Sequence, residues 1–334
     1  MGETKPRVFG WLADHAGCGY YRVKLPLAEL RAQGQISCYW DTIGHYRDLE
    51  QYDVIVGQRV SSPGASSIWR RLAEQHSRLM VYELDDDLWH VDPTNPVYGY
   101  YSNPTTQRAL VENIRVADLV TVTTQPLADL VRRHNPNVVV LPNWVDQRLL
   151  ELPHSGQAEG VTRIGWAGSS THQADFQYVR EPLRRALRSI PTAQLRFLGA
   201  DHSAEFTPTP SIHIPWVHGL DEYYQTLAGL FDVAIAPLRP GVFNRSKSDI
   251  RAKELHALGI PAVYTPGHPY GDVVQHGVTG MLAHRMSDWG VHLRALARDP
   301  EMRVEMGQAA RKLAEGWTIQ RNAHTWLDAY REAM

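Results

Sequence analysis

Lys247, Lys253 and Glu254 bracket the start of one amphipathic stretch within the run DVAIAPLRPGVFNRSKSDIRAKELHALGIP over 232–261. The run reads as a buried strand ending at Pro237, a loop through Gly241, and a helix beginning near Ser248. In open α/β sheets, ligands bind at the carboxyl ends of strands and the amino ends of helices. The first-turn N–H groups around Ser248, Asp249 and Ile250 lack intrahelical partners and favour an anion. Lys247 adds a cation beside them, and Glu254 offers a carboxylate that can accept two hydroxyl hydrogen bonds from a ribose. Only five lysines occur among the 34 basic residues, so two at one helix start is informative. The plainer reading is an ordinary helix with a serine cap and a Lys–Glu surface pair.

Three further loops carry chemistry-bearing side chains. Residues 163–176, RIGWAGSSTHQADF, end a strand in Gly168, Ser169 and Ser170, small enough to bring backbone against a phosphate. His172 can donate to a phosphate oxygen there, or simply sit in a capped first helical turn. Residues 15–30, HAGCGYYRVKLPLAEL, place Gly17 and Gly19 in a turn before a helix, short of the full G-x-G-x-x-G dinucleotide pattern. Tyr20, Tyr21 and Arg22 follow as cleft-lining or packing residues. Residues 81–101, VYELDDDLWHVDPTNPVYGYY, set three adjacent aspartates at a strand end. Unless they form a solvated acidic loop, at least one needs a partner or a raised pKa. Trp89, His90, Tyr98, Tyr100 and Tyr101 then read as an acceptor-binding segment, since such rings stack on sugars or bases equally well.

The elements that must position these loops are short apolar runs alternating with amphipathic stretches, the pattern of parallel sheets with crossover helices. Strands are predicted at 7–13, 36–41, 53–57, 79–84, 118–123 and 137–141, with helices at about 24–33, 65–77, 105–116 and 125–134. A second set of strands is predicted at 162–167, 194–199, 211–214, 232–236, 261–264 and 279–283. Its helices fall at 173–190 (bent at Pro182), 220–230, 248–258, 286–298 and 300–315, with a last one at 318–332. The fold class is therefore α/β, with two Rossmann-like parallel-sheet domains facing across a cleft. Residues 1–152 form the first and 162–316 the second, joined by a linker at 153–161, where periodicity is lost. No solenoid-type repeat or low-complexity tract interrupts them.

The runs KSDIRAKELHALGIPAVYT and PYGDVVQHGVTGMLA resemble the donor-binding signature of GT-B glycosyltransferases of the family 4 type. There a carboxylate, seven residues and a second carboxylate precede an Ala/Gly-x-Pro turn. Glu254 matches the second carboxylate, which in the family binds the nucleotide ribose. The first, a donor-sugar contact, falls on Ser246, a departure from the pattern. Asp272 matches an acidic residue of the following loop. The GSSTH form at 168–172 is similar to a subgroup of the family, where other members use an Arg/Lys pair for the diphosphate. Matching on Leu88 and Trp89 places Asp86 over the family's acceptor-facing His and Asp87 over its Asp. The glycine loop with Gly17 and Gly19 would close over the donor phosphates and the acceptor.

The resemblance is strong over 162–315 and only topological over 1–150, outside Gly17 to Arg22 and Asp85 to Trp89. It implies transfer of a sugar from a nucleotide-diphosphate donor, UDP-sugar favoured, to an acceptor hydroxyl, with retention. Asp86, Asp87 and His172 are the expected catalytic residues. Gly17, Gly19, Gly168, Ser169, Ser170, Lys247, Ser248, Asp249, Ile250 and Glu254 would bind the donor, its base lying near Trp216 and Val217. Tyr20, Arg22, Trp89 and His90 would meet the acceptor: a glycan, lipid or small molecule. No metal is expected to be required, although Asp85 and Asp87 form the Asp-x-Asp that holds a divalent ion in the unrelated GT-A enzymes. The terminal stretch 318–334 would pack back on the first domain.

Composition narrows the choice of function. Apolar residues make up 43% and charged residues 21%, with a formal net charge of −2. Wholesale disorder and a strongly basic nucleic-acid module are excluded. A local patch of Arg59, Arg70, Arg71 and Arg78 keeps open a duplex-DNA acceptor carrying hydroxymethylated bases, as some phage-type enzymes of this fold use. The resemblance is also compatible with a nucleotide-sugar epimerase or a non-catalytic nucleotide-sugar-binding protein. Two cysteines cannot build a disulfide framework or a four-thiolate zinc site. With no signal-like or membrane-spanning run, a cytoplasmic protein is expected.

Overall fold

A computed structural model describes residues 5–153 and 160–334. Most of the linker expected at 153–161 lies outside the described residues. Among the described residues, twelve strands form two six-stranded parallel sheets. The first contains β1 (Arg7–Trp11), β2 (Ser37–Asp41), β3 (Val54–Gln58), β4 (Leu79–Leu84), β5 (Leu119–Val122) and β6 (Val138–Val140), in the order β2-β1-β3-β4-β5-β6. The second contains β7 (Thr162–Gly168), β8 (Ala193–Gly199), β9 (Ser211–Ile214), β10 (Val233–Ala236), β11 (Ala262–Tyr264) and β12 (Met281–Leu282), in the order β12-β11-β10-β7-β8-β9. Interior strands are covered on both faces by crossover helices, so β3 and β4 are buried throughout, whereas edge strands β2 and β9 are not. This explains why their apolar runs stood out in the sequence.

Strand order reverses between β1 and β3 in one sheet and between β7 and β10 in the other. Each reversal opens a crevice at the strands' carboxyl ends, because successive connections leave on opposite faces there. The loops after β1, β3, β4, β7 and β10 all emerge around these crevices, and they carry most of the polar residues singled out above. Helix Gln173–Leu187 runs through Pro182 as one element.

Among the described residues, three apolar clusters hold the elements in place. One lies on the outer face of each sheet: Trp69, Leu110 and Val120 in the first, Phe176, Leu195 and Trp289 in the second. The third runs continuously from Val8, Leu27 and Val54 to Leu227, Leu255 and Leu258. Helix His324–Ala333 contributes Trp326, Leu327 and Tyr330 to this shared core, against helix Leu25–Ala32. Its approach is fixed by a backbone bridge between Val145 and Thr318. No described helix is long and apolar enough to cross a membrane.

Candidate active site

The two crevices face each other and merge into a cleft of about 1380 Å³ lined from both sheets. A pocket for one small ligand occupies roughly 300–1,000 Å³, so this cleft has room for two reactants. One wall carries Gly168, Ser169, His172, Trp216, Val217, Lys247, Ser248, Ile250, Arg251 and Glu254. The other carries Gly17, Tyr20, Tyr21, Arg59, Asp85 and Asp86.

The second-sheet wall is built around helix Ile250–Ala257. Its N-terminus opens onto the cleft, with the Ala252 and Lys253 N–H groups already donating to Asp249 O. Ser248 and Lys247 stand immediately before it. Glu254, one turn in, is 4% exposed. Its Oε1 accepts from Tyr21 Oη at 2.6 Å and its Oε2 from Arg251 at 2.9 Å. Tyr21 and Tyr224 hydroxyls lie 2.6 Å apart, and burial pushes both phenols well above their usual pKa. Both therefore stay protonated donors. A residue of the first half, on the turn after β1, thus occupies one face of the Glu254 carboxylate.

Lys247 is likewise engaged across the cleft, its Nζ 3.3 Å from Asp86 Oδ1. The loop after β4 divides its three aspartates among different tasks. Asp85 pairs with Arg59 at 2.5 Å. Burial would raise the Asp85 carboxyl, but the Arg59 guanidinium outweighs it and holds the group below the usual carboxylate range. Asp86 faces the cleft between Arg59 and Lys247. Asp87 turns away: 1% exposed, it accepts from the Trp89 and His90 N–H groups and lies 2.7 Å from His90 Nδ1. It orders the following turn instead of meeting a reactant.

His172 sits on the 168–172 loop with Nδ1 3.1 Å from Asp175 Oδ2. Enclosure in the cleft wall lowers its pKa, aided by Lys247 and Arg251 and opposed by Asp175. Neutral His172 donates its Nδ1–H hydrogen bond to the Asp175 carboxylate, leaving Nε2 an acceptor. Donation to a phosphate, as the sequence suggested, thus requires protonation as the anion arrives. Asp175 also accepts from the Arg239 N–H and Asn244 Nδ2, tying this loop to the one after β10.

The packing places several of the expected contact residues away from the open cleft. Arg22 is 1% exposed, and its guanidinium is spent on Glu83 at 2.7 and 3.1 Å, Leu141 O and Asn143 Oδ1. It touches only the cleft floor. Trp89 packs against His134 on the outer face, and His90 opens onto a smaller neighbouring groove. Gly19 is buried, and a Cβ there would overlap the Asp14 carbonyl. Ser170 is exposed outside the cleft lining, and Asp249 pairs with Lys253. Lys253 is itself buried: its Nζ donates to Asn143 O at 2.8 Å and stacks over Trp144, so it joins the two halves. Ser246 is 4% exposed, and its carbonyl accepts from Thr124 Oγ1. Of the four arginines considered for a DNA-tracking patch, Arg59 turns into the cleft, while Arg70 pairs with Glu112, Arg71 stacks over Tyr46 and Arg78 bonds Gln75.

Arg59 and Arg251 are among the cleft cations that sequence reasoning did not place there. Arg251 stands three residues before Glu254, a spacing that brings side chains together on a helix. Arg59 gives no such signal, since its partners are 26 and 27 residues away. Among the described residues no group of three or more His, Cys, Asp and Glu is placed to hold a metal ion.

This pairing of parallel sheets around a cleft is the GT-B fold of glycosyltransferases. Sucrose-phosphate synthase from Thermosynechococcus elongatus superposes with a TM-score of 0.68 at 14% identity, over 98% of this chain and 99% of that one. HepE of Anabaena, solved in complex with UDP, also gives 0.68 at 14% identity, over 98% and 100%. In sequence, the D-inositol 3-phosphate glycosyltransferase of Arthrobacter sp. (strain FB24) is 35% identical over 113 residues, which is 32% of this chain and 26% of that enzyme. The chain thus matches about a quarter of the length of that curated relative. No family model matches it.

Proposed function

We propose that the protein is a nucleotide-sugar-dependent glycosyltransferase, moving a sugar from a UDP-sugar to an acceptor hydroxyl with retention of anomeric configuration. The observation that carries this reading is the division of one large cleft. A cation, a helix N-terminus and a ribose-type carboxylate share one wall, and a separate carboxylate, Asp86, projects from the other. The second-sheet half then serves as donor domain, and the first half, with the terminal helix, as acceptor domain. The HepE–UDP complex supports the choice of donor class, and the inositol-phosphate glycosyltransferase relative supports sugar transfer.

In this reading the diphosphate lies on Lys247 and the Ser248 to Arg251 backbone, the ribose on Glu254, and the base against Trp216 and Val217. The bond from the anomeric carbon to the phosphate oxygen lengthens as the acceptor oxygen approaches. Lys247, protonated His172 and the helix N–H groups stabilise the charge that collects on the departing diphosphate. Its phosphate oxygen takes the acceptor proton, while Asp86 orients the hydroxyl. Asp86 faces a space open to a glycan, lipid or small-molecule acceptor.

The test is thermal stability against UDP, GDP, ADP and TDP. A ligand at about 100 times its Kd stabilises by roughly 2.7 kcal/mol, a readily measured rise in Tm. UDP is expected to give the largest rise, and Glu254→Ala to abolish most of it. No rise with any nucleotide contradicts the proposal.

A further inference from the structure

Among the described residues, Asp86 is the cleft carboxylate shared between two cations from opposite halves. Its Oδ2 lies 3.2 Å from Arg59 Nη2 and its Oδ1 3.3 Å from Lys247 Nζ. The Asp86, Arg59 and Lys247 side chains retain 23%, 13% and 15% of their exposure, so solvent screens them only partly. Arg59 is held firmly. It leaves β3 in a left-handed conformation with φ 51°, donates its N–H to Glu83 O, and forks between Asp85 and Asp86. A non-glycine residue in that region persists only where its surroundings hold it. Lys247 has no such anchor: apart from Asp86, it rests over the Phe243 ring.

We propose that Arg59 is a positioning residue for a charge exchange between the two reactants. It keeps Asp86 at the mouth of the donor site as the counter-ion of Lys247. It then retains Asp86 for the acceptor hydroxyl once a diphosphate takes Lys247. This rests on the nucleotide-diphosphate reading of the cleft. Without Arg59, Asp86 would bear wholly on Lys247 and compete harder with the incoming anion. Without the Asp86 charge, Lys247 is released and a like charge is removed from the phosphate's path.

The expected result is a pair of opposite signs. Calorimetric titration with the tightest-binding of UDP, GDP, ADP and TDP should show Asp86→Asn tightening nucleotide binding about five- to tenfold. Arg59→Gln should weaken it by a similar factor, with Arg59→Lys between Arg59→Gln and wild type. A merely structural role for the cluster would make both substitutions weaken binding. Melting temperatures of the free variants within a few degrees of wild type confirm that folded proteins are compared. If wild type binds a nucleotide but Asp86→Asn binds it equally or more weakly, the charge exchange is wrong and the donor site stands. If wild type binds none of the four, the donor reading itself fails.

Discussion

Lys247→Ala is expected to lower turnover of the nucleotide-sugar by about 10²- to 10³-fold, the cost of removing one preorganised group from a centre of developing charge. Two features of the cleft set this expectation. Lys247 is the lysine that faces the helix start, since Lys253 is committed to Asn143 and Asp249. Removing it also leaves Asp86 directed at the leaving diphosphate with only Arg59 to offset it. The loss should fall mainly on kcat, because charge on the leaving group peaks in the transition state, with a smaller loss in nucleotide affinity. Steady-state release of nucleoside diphosphate from the donor, measured in both proteins, checks this. Activity within about threefold of wild type would mean the diphosphate lies elsewhere.

Arg22→Met is the substitution expected to cost most stability, about 3–5 kcal/mol. Arg22 projects from the turn Tyr20–Lys24 into the shared core, where it pairs with Glu83, stacks over Trp326, and bonds Leu141 O and Asn143. Glu83 is completely buried. Burial already raises its carboxyl above the usual range, with Arg22 and Thr121 opposing that rise. Removing the arginine leaves a carboxyl that must either stay charged without its cation or take up a proton at neutral pH. The loss should appear as a lower denaturant midpoint. It should shrink in Arg22→Met/Glu83→Gln, where no charge is stranded. Equal losses in the single and double variants would show that the arginine acts through packing alone.

Arg22 also shows where a sequence stops informing. Its position next to the glycine loop suggested the acceptor, but Glu83 lies 61 residues away and Asn143 lies 121 away. Spacing cannot display such partners. The strands were legible because central parallel strands are buried on both faces and appear as largely apolar runs, VIVG before Gln58 and LMVY before Glu83. Once those strands are placed, their carboxyl-terminal loops must converge, and so Lys247, Glu254, His172 and Trp216 were found in one cleft wall. The three aspartates were legible as a cluster, but their division was not. Asp85 goes to Arg59, Asp86 to the cleft, and Asp87 caps the next turn, because each successive side chain points in a new direction as the chain leaves β4. Arg59 was hidden for a different reason. Its left-handed backbone aims the guanidinium into the cleft, and no residue pattern announces that conformation.

The most direct measurement is a structure of the protein with UDP bound. Phosphate oxygens are expected within hydrogen-bonding distance of Lys247 Nζ and the backbone at Ser248 to Arg251. Ribose hydroxyls should stand on Glu254 in place of Tyr21 Oη, with Asp86 parted from Lys247 but still on Arg59. UDP bound with the Tyr21–Glu254 and Asp86–Lys247 contacts both intact would contradict this placement of the donor.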